Sequence, residues 1–116
     1  MFVDTKAKVP VTHGGNTIYI KAKMDYGTVA AVQDEIKATG GGTDGMQFER
    51  LGSYRMALLA HNIVAWEGPD FMDANGKPVP CTRANIERLD PNEPIVEMVA
   101  AEIGERNRKP EAQDPN

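Results

Sequence analysis

The side chains of this 116-residue sequence best suited to nucleophilic or metal chemistry are two histidines and one cysteine, and they are scattered. His13, His61 and Cys81 fall in three separate segments, so a Cys-His pair or a mixed metal site would need a coincidence of folding. A better-ordered candidate is the loop "DFMDANGK", in which Asp73, Asn75 and Gly76 match the third, fifth and sixth positions of a calcium-binding loop. Its first position would be Phe71 and its twelfth Thr82, so the leading carboxylate and the bidentate glutamate are both missing. "GGGTDG" suggests a phosphate cradle, but Met46 stands where a lysine is required. The acidic residues pair at no spacing typical of general acid-base work. No catalytic residue, metal or cofactor is expected, and the chain reads as non-enzymatic.

Composition narrows the partners. Hydrophobic residues at 41% and charged residues at 26% are ordinary for a folded chain, and this length makes one domain that buries about two-thirds of its unfolded surface. A net charge of -4 with 6% aromatics offers little to nucleic acid. No apolar run reaches signal-peptide or membrane-span length, so neither export nor a membrane is expected. The lone Cys81 can form no disulfide within the chain; it suits a reducing compartment and most simply packs as a small hydrophobe.

The elements that would carry these residues follow from periodicity. Ile18, Ile20, Ala22 and Met24 alternate with Tyr19, Lys21 and Lys23, the period of a half-buried strand. "KVPVTHGG" before it supplies a hairpin whose first strand must lie at an edge, because Pro10 has no N–H for a central ladder. Helical spacing of Val29, Val32 and Ile36 predicts a helix from about Thr28 to Ala38, capped by Asp25 or Thr28 and ended by "TGGGTDG", a mobile loop. A second helix is expected from Met46 to about Ala60, then a short strand to Glu67. Asn75-Gly76 suggests a tight turn into "KPVP", a second hairpin. Thr82 caps a helix of about two turns, and Asp90-Pro91 with Glu93 resembles a capping box for a last, acidic helix.

The expected fold is α+β: a small single domain over residues 1-106, with two short β-hairpins forming a small antiparallel sheet packed with about four α-helices. Residues 107-116 read as a flexible C-terminal tail. Trp66 would close the small core with its indole N–H on a carbonyl, or else anchor an interface. Together Trp66, Asn75, Gly76 and Thr82 are the structural residues of the corner from Asn62 to Leu89. Residues 1–24 carry a net charge of +3 and residues 85–105 a net charge of -5, which are either two solvated faces or surfaces for self-association.

The order "YIKAKMDYGTVAAVQ", "NIVAWEG", a D-x-N-G-K-x-V-P-x-T turn and "NIERLDP" before an acidic helix resembles the tail assembly chaperones of long-tailed bacteriophages, over about Ile18 to Arg106. The resemblance implies a protein of the infected bacterium's cytoplasm that binds the long, helical tape measure protein and helps recruit the tail tube protein around it. In many members a frameshift appends a second domain. The alternatives are a virion structural protein, such as a head-tail connector or minor tail component, and a small enzyme with a composite site. Partner contacts are expected at exposed apolar positions: Phe71 and Met72 in the corner loop, Met46 and Phe48 beside the glycines, and Tyr26.

Overall fold

A computed structural model describes residues 1–38 and 52–108. Three antiparallel strands, β1 (Lys8–His13), β2 (Asn16–Lys21) and β3 (Ile63–Glu67), form one sheet in the order β1-β2-β3. The helices described are α1 (Tyr26–Ala38), α2 (Gly52–Asn62), the one-turn α3 (Arg83–Ile86) and α4 (Pro94–Arg106), with a 3-10 turn at Pro69–Phe71. The α+β architecture expected from periodicity is the one observed. Among the described residues no helix is long and apolar enough to cross a membrane.

The sheet shows why alternation was informative. In β2, Asn16, Ile18 and Ile20 are buried while Thr17, Tyr19 and Lys21 are only half-buried. Val11 of β1 and Trp66 of β3 stand opposite Ile18, and Val9 and Ile63 stand opposite Ile20, so one face is a continuous apolar layer. Two residues of β2 thus span three of β3. This bulge sends Ile63 to the core and leaves Val64 partly exposed, which strict alternation would forbid. The opposite face is polar: the Thr12 and Thr17 hydroxyls lie 3.2 Å apart, and the Tyr19 hydroxyl donates to Glu67 Oε2 at 2.7 Å. Pro10 sits in the edge strand, where its missing N–H costs no central ladder bond. Gly14 and Gly15, at φ 60° and 83°, make the two-residue turn.

α4 lays Ile95, Val96, Val99 and Ile103 into the core, packing on β1 and β2, and α2 packs against both α4 and α1. α1 begins two residues before the expected Thr28, because Asp25 is the cap: its Oδ1 accepts from Thr28 N at 2.9 Å and from the Thr28 hydroxyl at 2.6 Å. These bonds hold the Asp25 carboxyl below its ordinary value. The described part of α2 runs to Asn62, two residues past the expected Ala60. The expected start at Met46 and the glycine loop lie outside the described residues.

Three local expectations are corrected. The second hairpin reduces to one bridge, Met72 to Pro78, and β3 pairs with β2 instead; Pro78 and Pro80 leave too few N–H groups for a ladder. Asn75-Gly76 does turn the chain, with Gly76 at φ 77° and Asp73 Oδ1 accepting from the Asn75 and Lys77 amides. The last helix starts at Pro94 with Glu93 in the cap position, not at Asp90-Pro91, because the Asp90 carboxylate is already used on the Asn92 amide, 2.9 Å away. Thr82 caps α3 as expected, its hydroxyl accepting from Asn85 N at 3.3 Å, but α3 is one turn long instead of two.

The domain also extends past residue 106. Asn107 Oδ1 accepts from Met24 N at 2.8 Å while its amide donates to Ile103 O at 2.8 Å, tying the end of α4 to the entry of α1. Residues 109–116 lie outside the described residues.

Candidate functional site

The apolar residues expected to meet a partner separate in the structure. Tyr26 is 90% exposed at the first position of α1, and Met72 is 44% exposed. Phe71 is corrected: it is buried, stacked on Trp66 with ring centroids 4.7 Å apart at 10°. The 3-10 turn that Pro69 opens after Gly68 points it inward, and an aromatic pair of this kind is core material. Met46 and Phe48 lie outside the described residues. Tyr26 and Met72 do not share a site.

The corner holds together by committing its polar groups. Trp66 Nε1 donates to Val79 O at 2.7 Å. Asn16, at the start of β2, donates to Asp70 Oδ2 at 2.8 Å and accepts from Asp70 N at 3.0 Å, stapling the first hairpin to the 3-10 turn. A cleft of about 410 Å³ opens beside Trp66, Phe71 and Met72, with Asn85 and Arg88 on its rim. Arg88 donates to Asn85 Oδ1, and Asn85 donates to Pro80 O. Few polar groups are left there for a ligand.

Of the three residues suited to chemistry, only His61 joins a charged cluster. With His61 Nε2 2.9 Å from Glu35 Oε1, an ionised carboxylate can only accept, so that nitrogen carries the proton. Arg83 grips both Glu35 oxygens, at 2.9 and 2.6 Å, and also reaches Glu87 at 3.0 Å. The Arg83 hydrogen bond is the main reason the Glu35 carboxyl falls to about 2, with His61 adding to it and desolvation opposing. The same pairing raises the Arg83 guanidinium further above its ordinary value. The cluster ties α1, α2 and α3 together, and both Glu35 oxygens are taken by donors within it. His13 is exposed at the end of β1, and burial raises the Cys81 thiol. Among the described residues no group of three or more His, Cys, Asp or Glu is placed to hold a metal ion.

The larger concavity lies on the helical side. α2 packs against both α1 and α4, while α1 and α4 have no comparable contact, and the space between them above α2 is a groove of about 990 Å³. Met24, Val29, Leu58 and Ile103 supply its apolar lining, and Ala101 and Gly104 of α4 keep one wall low. The Met24–Asn107 hydrogen bond marks one end. Lys23, Arg55 and Glu97 stand exposed around it.

Sequence reasoning missed this groove because its walls come from three segments far apart in the chain. The one available signal was the small-residue run Ala100, Ala101 and Gly104 flanking the buried stripe of α4. No protein-family model matches the chain, nor does any curated protein or solved structure.

Proposed function

We propose that this protein is a tail assembly chaperone of a long-tailed bacteriophage. It acts without catalysis in the cytoplasm of the infected bacterium, holds an apolar helical segment of the tape measure protein, and helps bring tail tube subunits to it. The observation that carries this reading is the groove between α1 and α4. Its apolar lining with a charged rim suits the apolar face of an amphipathic helix, and the low wall at Ala101 and Gly104 lets another backbone approach to about helix-packing distance, 8–10 Å.

The test is co-expression with a tape measure protein. The soluble fraction of the tape measure should rise several-fold with the chain present, and the two should purify together. Gly104→Phe is the informative variant, because a Cβ at Gly104 meets no atom within 4 Å, so the ring fills the groove without disturbing the core. It should fold normally and lose the solubilising effect. A tape measure that is equally soluble without the chain would overturn the proposal. Stoichiometric presence of the chain in purified tails would favour a virion structural component instead.

A further inference from the structure

Asn75 is the one asparagine that glycine follows, and it stands exposed in the corner loop. Asparagine is a thermolabile residue: its side-chain amide carbon is an electrophile within reach of the next backbone nitrogen. Glycine obstructs that approach least, because it has no Cβ. The other described asparagines precede Thr17, Ile63, Ile86, Glu93 and Arg108, and the side chains of Asn16, Asn62, Asn85 and Asn107 are committed to hydrogen bonds. The Asn75 side chain makes none among the described residues; only its backbone N–H is bonded.

The turn holds the nucleophile away. Gly76 N donates to Asp73 O at 3.0 Å and Asp73 N donates to Lys77 O at 2.8 Å, while Asp73 Oδ1 accepts from Asn75 N at 2.8 Å and from Lys77 N at 2.9 Å. Gly76 alone in this loop has a positive φ, so Ala74 and Asn75 keep the ordinary backbone of a type I turn. While the Gly76 N–H stays on Asp73 O, the peptide plane after Asn75 cannot rotate to bring that nitrogen onto Asn75 Cγ. Asp73 is therefore a clasp, and every one of the four bonds passes through it.

We propose that Asn75 is a site of spontaneous deamidation, restrained in the folded chain by the Asp73 clasp and loosening the corner once it occurs. A solvent base takes the Gly76 N–H proton, the nitrogen attacks Asn75 Cγ, and the Cγ–Nδ2 bond breaks to release ammonia and leave a cyclic succinimide. Water then opens the ring. Breaking the Cγ–N bond gives aspartate, and breaking the bond from the main-chain carbonyl carbon to nitrogen gives isoaspartate. The net change is uptake of water and loss of ammonia. Isoaspartate adds a carbon to the main chain between the Asn75 and Gly76 amides, so the bonds of both to Asp73 cannot re-form together. Val79 lies just beyond the turn, donating to Phe71 O and accepting from Trp66 Nε1, which couples the altered loop to the Trp66 corner.

The experiment incubates the full chain in warm buffer at pH 8, folded or in denaturing urea, and follows each asparagine by peptide mapping and mass spectrometry. Isoaspartate is scored with an isoaspartyl methyltransferase. Conversion should concentrate at residue 75 in urea and be at least about tenfold slower in the folded chain, the factor that a few lost hydrogen bonds supply. Asp73→Ala removes the side-chain acceptor and should recover most of that difference. Asp73→Asn keeps an accepting oxygen and should stay slow, which separates the clasp from any effect of the charge. Residue 73 is exposed, so circular dichroism should show both variants folded. Trp66 emission of the converted folded chain should move toward that of the unfolded protein. Conversion spread equally over Asn75 and Asn92 in urea overturns the site. Equal rates for the folded chain and Asp73→Ala overturn the clasp, and unchanged Trp66 emission after conversion overturns the coupling to the corner.

Discussion

Arg83, the first residue of a one-turn helix, holds Glu35 of α1 by both carboxylate oxygens across 48 residues of sequence. The same carboxylate takes the imidazole of His61 at the end of α2. One half-buried anion therefore fixes the mutual position of three helices, two of which border the groove.

That arrangement predicts a specific acid sensitivity. Glu35 has a folded-state value of about 2, below its ordinary 4.5, so its stabilisation is complete above about pH 4.5 and is lost as pH falls through 2. Arg83 is 46% exposed, so solvent screening keeps the contribution to about 1 kcal/mol. Glu35→Gln should lower stability by about that amount at pH 7 and flatten the loss between pH 4.5 and 2. Urea denaturation across this range, compared with the unsubstituted chain, measures both effects. An unchanged acid limb would remove Glu35 as its source.

The corner makes a second prediction. Phe71 contributes as core and not as a contact for a partner, so Phe71→Ala should cost about 3 kcal/mol by loss of buried area and of the stacked ring. Trp66→Phe keeps an aromatic face but removes the hydrogen bond to Val79 O, which is worth about 1 kcal/mol. Equilibrium unfolding separates the two. Met72→Ala, on an exposed side chain, should change stability by under about 0.5 kcal/mol.

The sequence was legible where one residue's chemistry determined its own surroundings. Pro10 announced an edge strand, Gly14-Gly15 a turn, Thr82 a helix cap, Asp25 or Thr28 another that proves to be Asp25, and Trp66 an indole that needs a carbonyl. It was less legible where two local solutions competed. Asp90 and Glu93 both precede a proline, and the Asp90 carboxylate closed a turn on Asn92 instead of capping the helix. The bulge at Val64 and the inward turn of Phe71 depend on pairing with β2 and Asn16, which lie about fifty residues away, and no local pattern encodes them. The groove and the Glu35 cluster are products of tertiary packing alone, since each draws on three elements distant in sequence.

Gly68 gives a third prediction, because the corner needs it for two reasons at once. Its φ of 134° lies in a region that L side chains rarely adopt, and a Cβ there would sit 2.4 Å from Asn16 Oδ1 and 2.7 Å from Asn16 Cα. Backbone cannot swing aside as a flexible side chain could. Gly68→Ala should therefore cost upwards of about 3 kcal/mol and break the Asn16–Asp70 staple. Gly14→Ala is the comparison: its φ is 60°, but a Cβ there meets nothing within 4 Å, so only the left-handed backbone penalty of about 1 kcal/mol applies. Thermal denaturation should rank the two variants in that order, and equal losses would mean that the contact with Asn16 is unimportant.

Cys81 supplies the last prediction. It packs half-buried against the core between the Trp66 corner and α3, and desolvation raises its thiol above the ordinary cysteine value. Since the thiolate is the reactive species, both the smaller ionised fraction and the restricted access slow its attack on a disulfide reagent. At pH 8 the folded chain should react with an aromatic disulfide at least about tenfold more slowly than the same chain in denaturing urea. The rate in sub-denaturing urea then reports opening of the corner, and Trp66→Phe, by removing the bond to Val79 two residues away, should raise it. A folded-state rate equal to the denatured one would show that Cys81 is not packed as described.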